Sequence, residues 1–207
     1  MLDSLACNIV LLPDEDLSNH AIVTSLLIGH DKNVCFKLID GKFYPHVSLY
    51  MCQIKEHDIA VVSEMLKSLA NKYEEFKLEA SGFGNAERFF DIEYEKSNAI
   101  TSLQNEVLDK VNPVRDGMRE KDKARLITAV GLEKLNLDTY GYRSVGELFR
   151  PHLTITRFKK LETYKAPVEI GKPQEYSGTF NRIGLFMMGD DGTAVSELAS
   201  FQLKQSN

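Results

Sequence analysis

The chain has no tryptophan, three cysteines and six prolines in 207 residues, and no apolar run long enough for a membrane span. A spanning helix needs about 18 or more apolar residues, so no membrane partner is expected. Met1-Leu2-Asp3-Ser4 lacks the basic leader of a secretory signal, which points to the cytoplasm. Cys7, Cys35 and Cys52 are odd in number, form no C-x-x-C pair and sit in apolar strand-like stretches. They read as small core hydrophobes. A catalytic cysteine paired with a histidine is the sharper alternative. His20, His30 and His57 show no zinc-ligand spacing, so no metal and no cofactor is expected. The net charge of −5 lacks the basic excess of a duplex binder, so no duplex DNA partner is expected either.

What is present is a repeated phrase. Pro45-His46-Val47-Ser48-Leu49-Tyr50 returns 106 residues later as Pro151-His152-Leu153-Thr154-Ile155-Thr156. Each alternates as a short strand, with His and hydroxyl on one face and Val47, Leu49, Leu153 and Ile155 on the other. Proline suits the start of such a strand because it surrenders a backbone donor where the ladder has barely begun. With five His and six Pro in the whole chain, a duplicated half-site explains the repeat better than chance.

Paired imidazoles fit phosphoryl transfer without a metal. One takes a proton from the attacking oxygen while the other gives a proton to the leaving oxygen, and a pKa of about 6.5 allows both near neutrality. On a regular strand the hydroxyl lies about 6.5–7 Å further along the same face. Ser48 and Thr154 are therefore candidates to donate to the non-bridging phosphoryl oxygens. His46 and His152 are the candidate catalytic pair.

Two H-x-[S/T] strands in a chain of this length resemble the 2H phosphoesterase superfamily, which includes 2′-5′ RNA ligase-like proteins and 2′,3′-cyclic phosphodiesterases. Pro151-His152-Leu153-Thr154-Ile155-Thr156-Arg157 is similar to that family's P-H-φ-T-φ-x-R string, with Arg157 in register. Phe76-Lys77-Leu78-Glu79-Ala80-Ser81-Gly82-Phe83-Gly84, then 88–95, then a Leu- and Val-rich helix resembles its strand, strand, helix order. The run 180–186, the Gly189-Asp190-Asp191-Gly192 turn and 195–203 resemble its closing hairpin. There are departures. Ser48 stands where threonine is commoner, 6–12 lacks an arginine, Met51 replaces an aromatic, and 112–150 is longer than a linker. The resemblance implies a small nucleotide or RNA-end substrate carrying a 2′,3′-cyclic phosphate or a 2′-5′ linkage.

The coarse pattern predicts a strand at 7–12, a helix from 13–16 to about 28, and strands near 34–39 and 44–52. A helix follows over 56–73, strands over 76–81 and 88–94, and a helix from the Ser97 cap to about 111. The expected fold is α+β and bilobal, with two pseudo-symmetric antiparallel sheets and outer helices around a central cleft. It forms one domain over 1–207, expected to be monomeric, with 112–150 as an inserted flap. That segment holds eight Lys or Arg against six Asp or Glu, so the remainder sums to −7. It reads as a solvated helix face around 118–135, or as a flap that draws in an anion.

Several residues keep two readings. Tyr50 falls on the face of His46 and Ser48, where it stacks on a base or simply packs. Arg157 has the opposite strand parity to His152, so it contacts substrate or braces the sheet. Phe43, Phe83, Phe89, Tyr142 and Phe149 are equally open, while His20, His30 and His57 read as surface residues. The function read from the sequence is two-histidine, metal-independent cleavage of a phosphodiester. A non-catalytic protein holding a nucleotide or RNA end in the same cleft is the alternative.

Overall fold

Ile9 to Leu12 are buried on both faces of β1 (Ser4–Pro13), as a central strand requires. It lies antiparallel between β2 (Val47–Lys55) and β7 (Gly178–Met188). The computed structural model describes residues 4–30, 33–160 and 170–205, so the acidic start at 1–3 lies outside the described residues. The other strands are β3 (Phe76–Leu78), β4 (Ala80–Gly84), β5 (Phe89–Tyr94), β6 (His152–Arg157) and β8 (Ala194–Gln202). Their order is β3-β7-β1-β2-β6-β5-β4, with β8 also on β7.

Two blocks of antiparallel strands meet where β2 and β6 pair, through the single register pair Val47 and Leu153. The predicted lobes are thus joined at one rung into a continuous sheet. β3 and β4 sit at opposite ends of the order yet are separated in sequence only by Glu79. One residue spans about 3.5 Å and neighbouring strands lie about 4.8 Å apart, so only a strongly curled sheet can bring its ends together.

Helices cover the core face in a crossed arrangement. α1 (Glu15–Ile28) is capped by the Asp14 carboxylate, which accepts from Leu17 N at 3.0 Å. It follows β1 but packs on both β1 and β6. α2 (Ile59–Ala70), entered through a 3₁₀ turn at Glu56–Asp58, packs on β7 and β8. α3 (Asn98–Val111) begins at Ser97, whose hydroxyl accepts from Ile100 N at 3.3 Å, and packs on β2. Each motif strand therefore has its apolar side covered by the helix grown from the other lobe.

The 112–150 segment folds as α4 (Glu120–Leu126) and α5 (Gly131–Tyr140) with short 3₁₀ turns beside them. Gly141, at φ +66°, ends α5 in the left-handed conformation that glycine tolerates without strain.

Three expectations change. Residues 34–39 form no strand, because Phe36 O accepts from the Thr156 hydroxyl (2.6 Å) and Leu38 N donates to the Ser25 hydroxyl (2.8 Å). Side chains there satisfy groups that a ladder would otherwise need. The strand expected over 76–81 breaks at Glu79, where the chain changes partner from β7 to β5. Cys7 and Cys52 are buried opposite one another with free thiols, but Cys35, expected in the core, is exposed.

Candidate active site

His46 immediately precedes β2 and His152 opens β6, so the Val47–Leu153 pair places the two motifs side by side. Each ring is held in the same way. His46 Nδ1 lies 2.7 Å from Tyr44 O, and His152 Nδ1 lies 2.8 Å from Arg150 O. A carbonyl only accepts, so both Nδ1 atoms carry protons and Nε2 is the nitrogen left for chemistry. Both imidazoles, Ser48 and Thr154 line one cavity of about 700 Å³.

The surroundings of the two rings differ. Asn8, buried on β1, places its amide nitrogen 3.2 Å from His46 Nε2 and donates to Ser48 Oγ at 2.9 Å. An amide nitrogen only donates, so His46 is neutral with its Nε2 lone pair taken by Asn8. Burial pushes this imidazole down to about 4, the Tyr44 carbonyl opposes the shift, and His152 adds to it. On the other side Asp91, buried on β5, stands opposite Thr154. Its carboxyl is raised chiefly by burial, with His152 and the Thr154 hydrogen bond acting against that rise.

Neither Asn8 nor Asp91 was singled out by sequence reading. Asn8 interrupts the otherwise apolar run from Ala6 to Leu12, which was the one available signal. Asp91 carried none, since its role depends on the pairing of β5 with β6.

Matching bulges decide which motif residues face the cavity. In β2, Tyr50 pairs with Ile9 and Ser48 with Val10, leaving Leu49 as the extra residue. In β6, Thr156 pairs with Phe90 and Thr154 with Asp91, leaving Ile155 as the extra residue. A bulge shifts side-chain parity by one. Tyr50, expected on the histidine face, is therefore turned into the core, where its hydroxyl donates to Tyr140 O at 2.7 Å. Met51 takes its place on the cavity wall.

The same shift brings Arg157 round to the face of His152 and Thr154, contrary to its sequence parity. There it is ion-paired with Asp191 and lies over the Phe89 ring, 4.9 Å from its centroid. Phe89 and Tyr142 also line the cavity, whereas Phe149 is buried in the core and Phe43 and Phe83 pack, partly buried, against it. His57 is half exposed as expected, and His20 stacks on Tyr176 at 4.2 Å.

The 112–150 segment forms a further wall of the cavity. Arg119 and Asp122 are buried and ion-paired, so the face read as solvated around 118–135 is interrupted by this pair. Arg119 Nη1 also reaches Met51 Sδ at 3.2 Å and Met188 Sδ at 3.1 Å, tying the segment to β2 and β7. Among the described residues no cluster of three or more His, Cys, Asp or Glu is placed to hold a metal ion.

The sequence pattern of the 2′-5′ RNA ligase superfamily matches residues 35–192. The chain belongs to that superfamily of 2H phosphoesterases. In fold it is similar to E. coli LigT in apo form, with a TM-score of 0.60 and 12% identity, covering 98% of this chain and 99% of that one. E. coli LigT complexed with 3′-AMP gives 0.57 and 12% identity, over 98% and 100%. The protein TT0787 of Thermus thermophilus gives 0.55 and 15% identity, over 98% and 100%. A comparison with curated proteins finds no match. At these identities the structural likeness establishes the fold, and the superfamily establishes an enzyme of the 2H phosphoesterase class. No helix among the described residues is long and apolar enough to cross a membrane.

Proposed function

We propose that the protein is a metal-independent phosphodiesterase acting on a small or terminal nucleotide phosphodiester, a 2′,3′-cyclic phosphate or a 2′-5′ linkage. The observation that carries this reading is the matched pinning of both Nδ1 atoms, with both rings and both hydroxyls on one cavity. The superfamily supports the bond class, and the nucleotide bound to LigT supports the ligand class.

His46, held neutral, is the base, and His152 is the acid. For a cyclic phosphate, the Asn8 amide releases His46 Nε2 as substrate enters, and Nε2 takes a proton from water as the water oxygen bonds to phosphorus. His152 gives a proton to the ribose oxygen as its bond to phosphorus breaks. Ser48, which accepts from Asn8 and keeps its own proton free, and Thr154, which gives up its contact with Asp91, donate to the non-bridging oxygens where charge builds up.

The test is a panel of 2′,3′-cyclic mononucleotides, cyclic dinucleotides and 2′-5′ oligomers followed by phosphorus NMR. At least one member should turn over at catalytic protein concentration. His46→Ala and His152→Ala should each slow it by about 10²–10⁴-fold, and their joint loss should be far from additive. Stoichiometric binding without turnover across the panel, or near-normal rates in both single variants, overturns the reading.

A further inference from the structure

We infer that the cleft holds a second anion-binding position around Lys121, and that the ligand carries a second phosphate, as a nucleoside bisphosphate or a 5′-phosphorylated nucleotide does. This rests on the reading of the histidine pair as the first phosphate position. Arg119, Lys121 and Arg125 project from the start and body of α4 into the cavity that holds both histidines. Their like charges repel, so the fold must balance them.

For the arginines it does so internally. Arg119 pairs with Asp122, Arg125 with Asp122 and Glu133, and Arg157, nearby, with Asp191. Lys121 is left over. Among the described residues it has no ion-pair partner, and its ammonium feels Arg125, Arg157 and Arg119, with Glu87 opposing them. Its proton is held less tightly than usual, through burial first and these guanidiniums next. Glu87, Asp91, Glu133, Asp190 and Asp191 share the cavity wall but none ion-pairs with Lys121, so an anion seated there gives its ammonium a partner, and a flexible ammonium suits a terminal phosphate.

Position and space agree. The buried Arg119 anchors the beginning of α4 to Met51 and Met188, so Lys121 is presented on a fixed wall. A cavity of about 700 Å³ falls within the range of sites that take whole small molecules, well beyond the needs of one phosphate.

Calorimetry on the full chain with adenosine 3′-monophosphate and adenosine 3′,5′-bisphosphate tests the inference. The bisphosphate should bind about ten-fold more tightly, the worth of one added charged contact. Lys121→Met should collapse that ratio to about two-fold or less. Lys121→Arg should retain most of it. His46→Ala should weaken both probes while preserving their ratio. Equal affinities in the unmodified protein, no bisphosphate binding at millimolar concentration, or a ratio that survives Lys121→Met overturns the inference. A ratio near one alongside turnover of cyclic phosphates removes this position alone. Absence of turnover with the ratio intact removes the catalytic reading and leaves the position standing.

Discussion

Two histidines from a duplicated motif have unequal surroundings, and the inequality makes separate predictions. Burial, with His152 adding to it, pushes His46 down to about 4, so the acidic limb of kcat/KM should fall well below neutrality rather than near the ordinary value of about 6.5. Asn8→Ala removes the hydrogen bond to the lone pair of the neutral ring. The acidic limb should then move upward and the rate should fall, which a pH profile of the variant against the parent measures. An unmoved limb means that Asn8 does not position the base. Ser48→Ala and Thr154→Val should each weaken phosphate binding and rate by about 1–3 kcal/mol, whereas Ser48→Thr keeps the donor. Tyr50→Phe should leave the rate unchanged and lower stability by about 1 kcal/mol, since the Tyr50 hydroxyl serves Tyr140 O inside the protein.

At the scale of elements, the bulges in β2 and β6 determine which residues reach the cleft. A bulge leaves a backbone carbonyl out of the ladder, and each of these is met by a buried side chain from a helix. Gln104 on α3 donates to Leu49 O at 3.0 Å, and Ser25 on α1 donates to Ile155 O at 2.8 Å. Gln104→Leu and Ser25→Ala should each cost about 1–3 kcal/mol in urea unfolding, because a buried acceptor loses its donor. Both should also depress turnover, as the bulge relaxes and misaligns His46 with Ser48 or His152 with Thr154. Stability within about 0.5 kcal/mol of the parent, with unchanged turnover, would mean that the bulges hold their shape without these caps.

For the whole molecule, His46 links folding to pH. Its folded value is depressed, so its neutral form is fully favourable to folding above the unfolded value of about 6.5. As pH falls from about 6.5 towards 4, the unfolded chain takes up a proton that the folded chain refuses. Stability should drop through that window by up to about 3 kcal/mol. Asp91, raised by burial, acts in the opposite sense, gaining stability as the pH falls towards the carboxylate range. Comparing His46→Gln with the parent by thermal unfolding at several pH values isolates the histidine. A constant difference in Tm across the window would argue against a buried neutral imidazole. On the proposed mechanism, in which imidazole, hydroxyl and basic side chains meet the phosphate charge, turnover should also survive EDTA.

The sequence by itself determined the repeated strands, the α+β class and the family resemblance. These depend on local alternation and on motif residues that chemistry constrains wherever the chain places them. It also located the first helix through the acidic start at 13–16 and the third through the Ser97 cap, since both signals act between near neighbours. Only the tertiary structure decided the faces of Tyr50, Met51 and Arg157. An unpaired residue in a strand has no local signature, and it is stabilised by Gln104 or Ser25 from a distant helix. The meeting of Asp91 and the α4 cations on one cavity, with Asn8 buried behind His46 and Ser48, is likewise tertiary. Strand register and long-range packing brought them together, and neither is written in the spacing of residues along the chain.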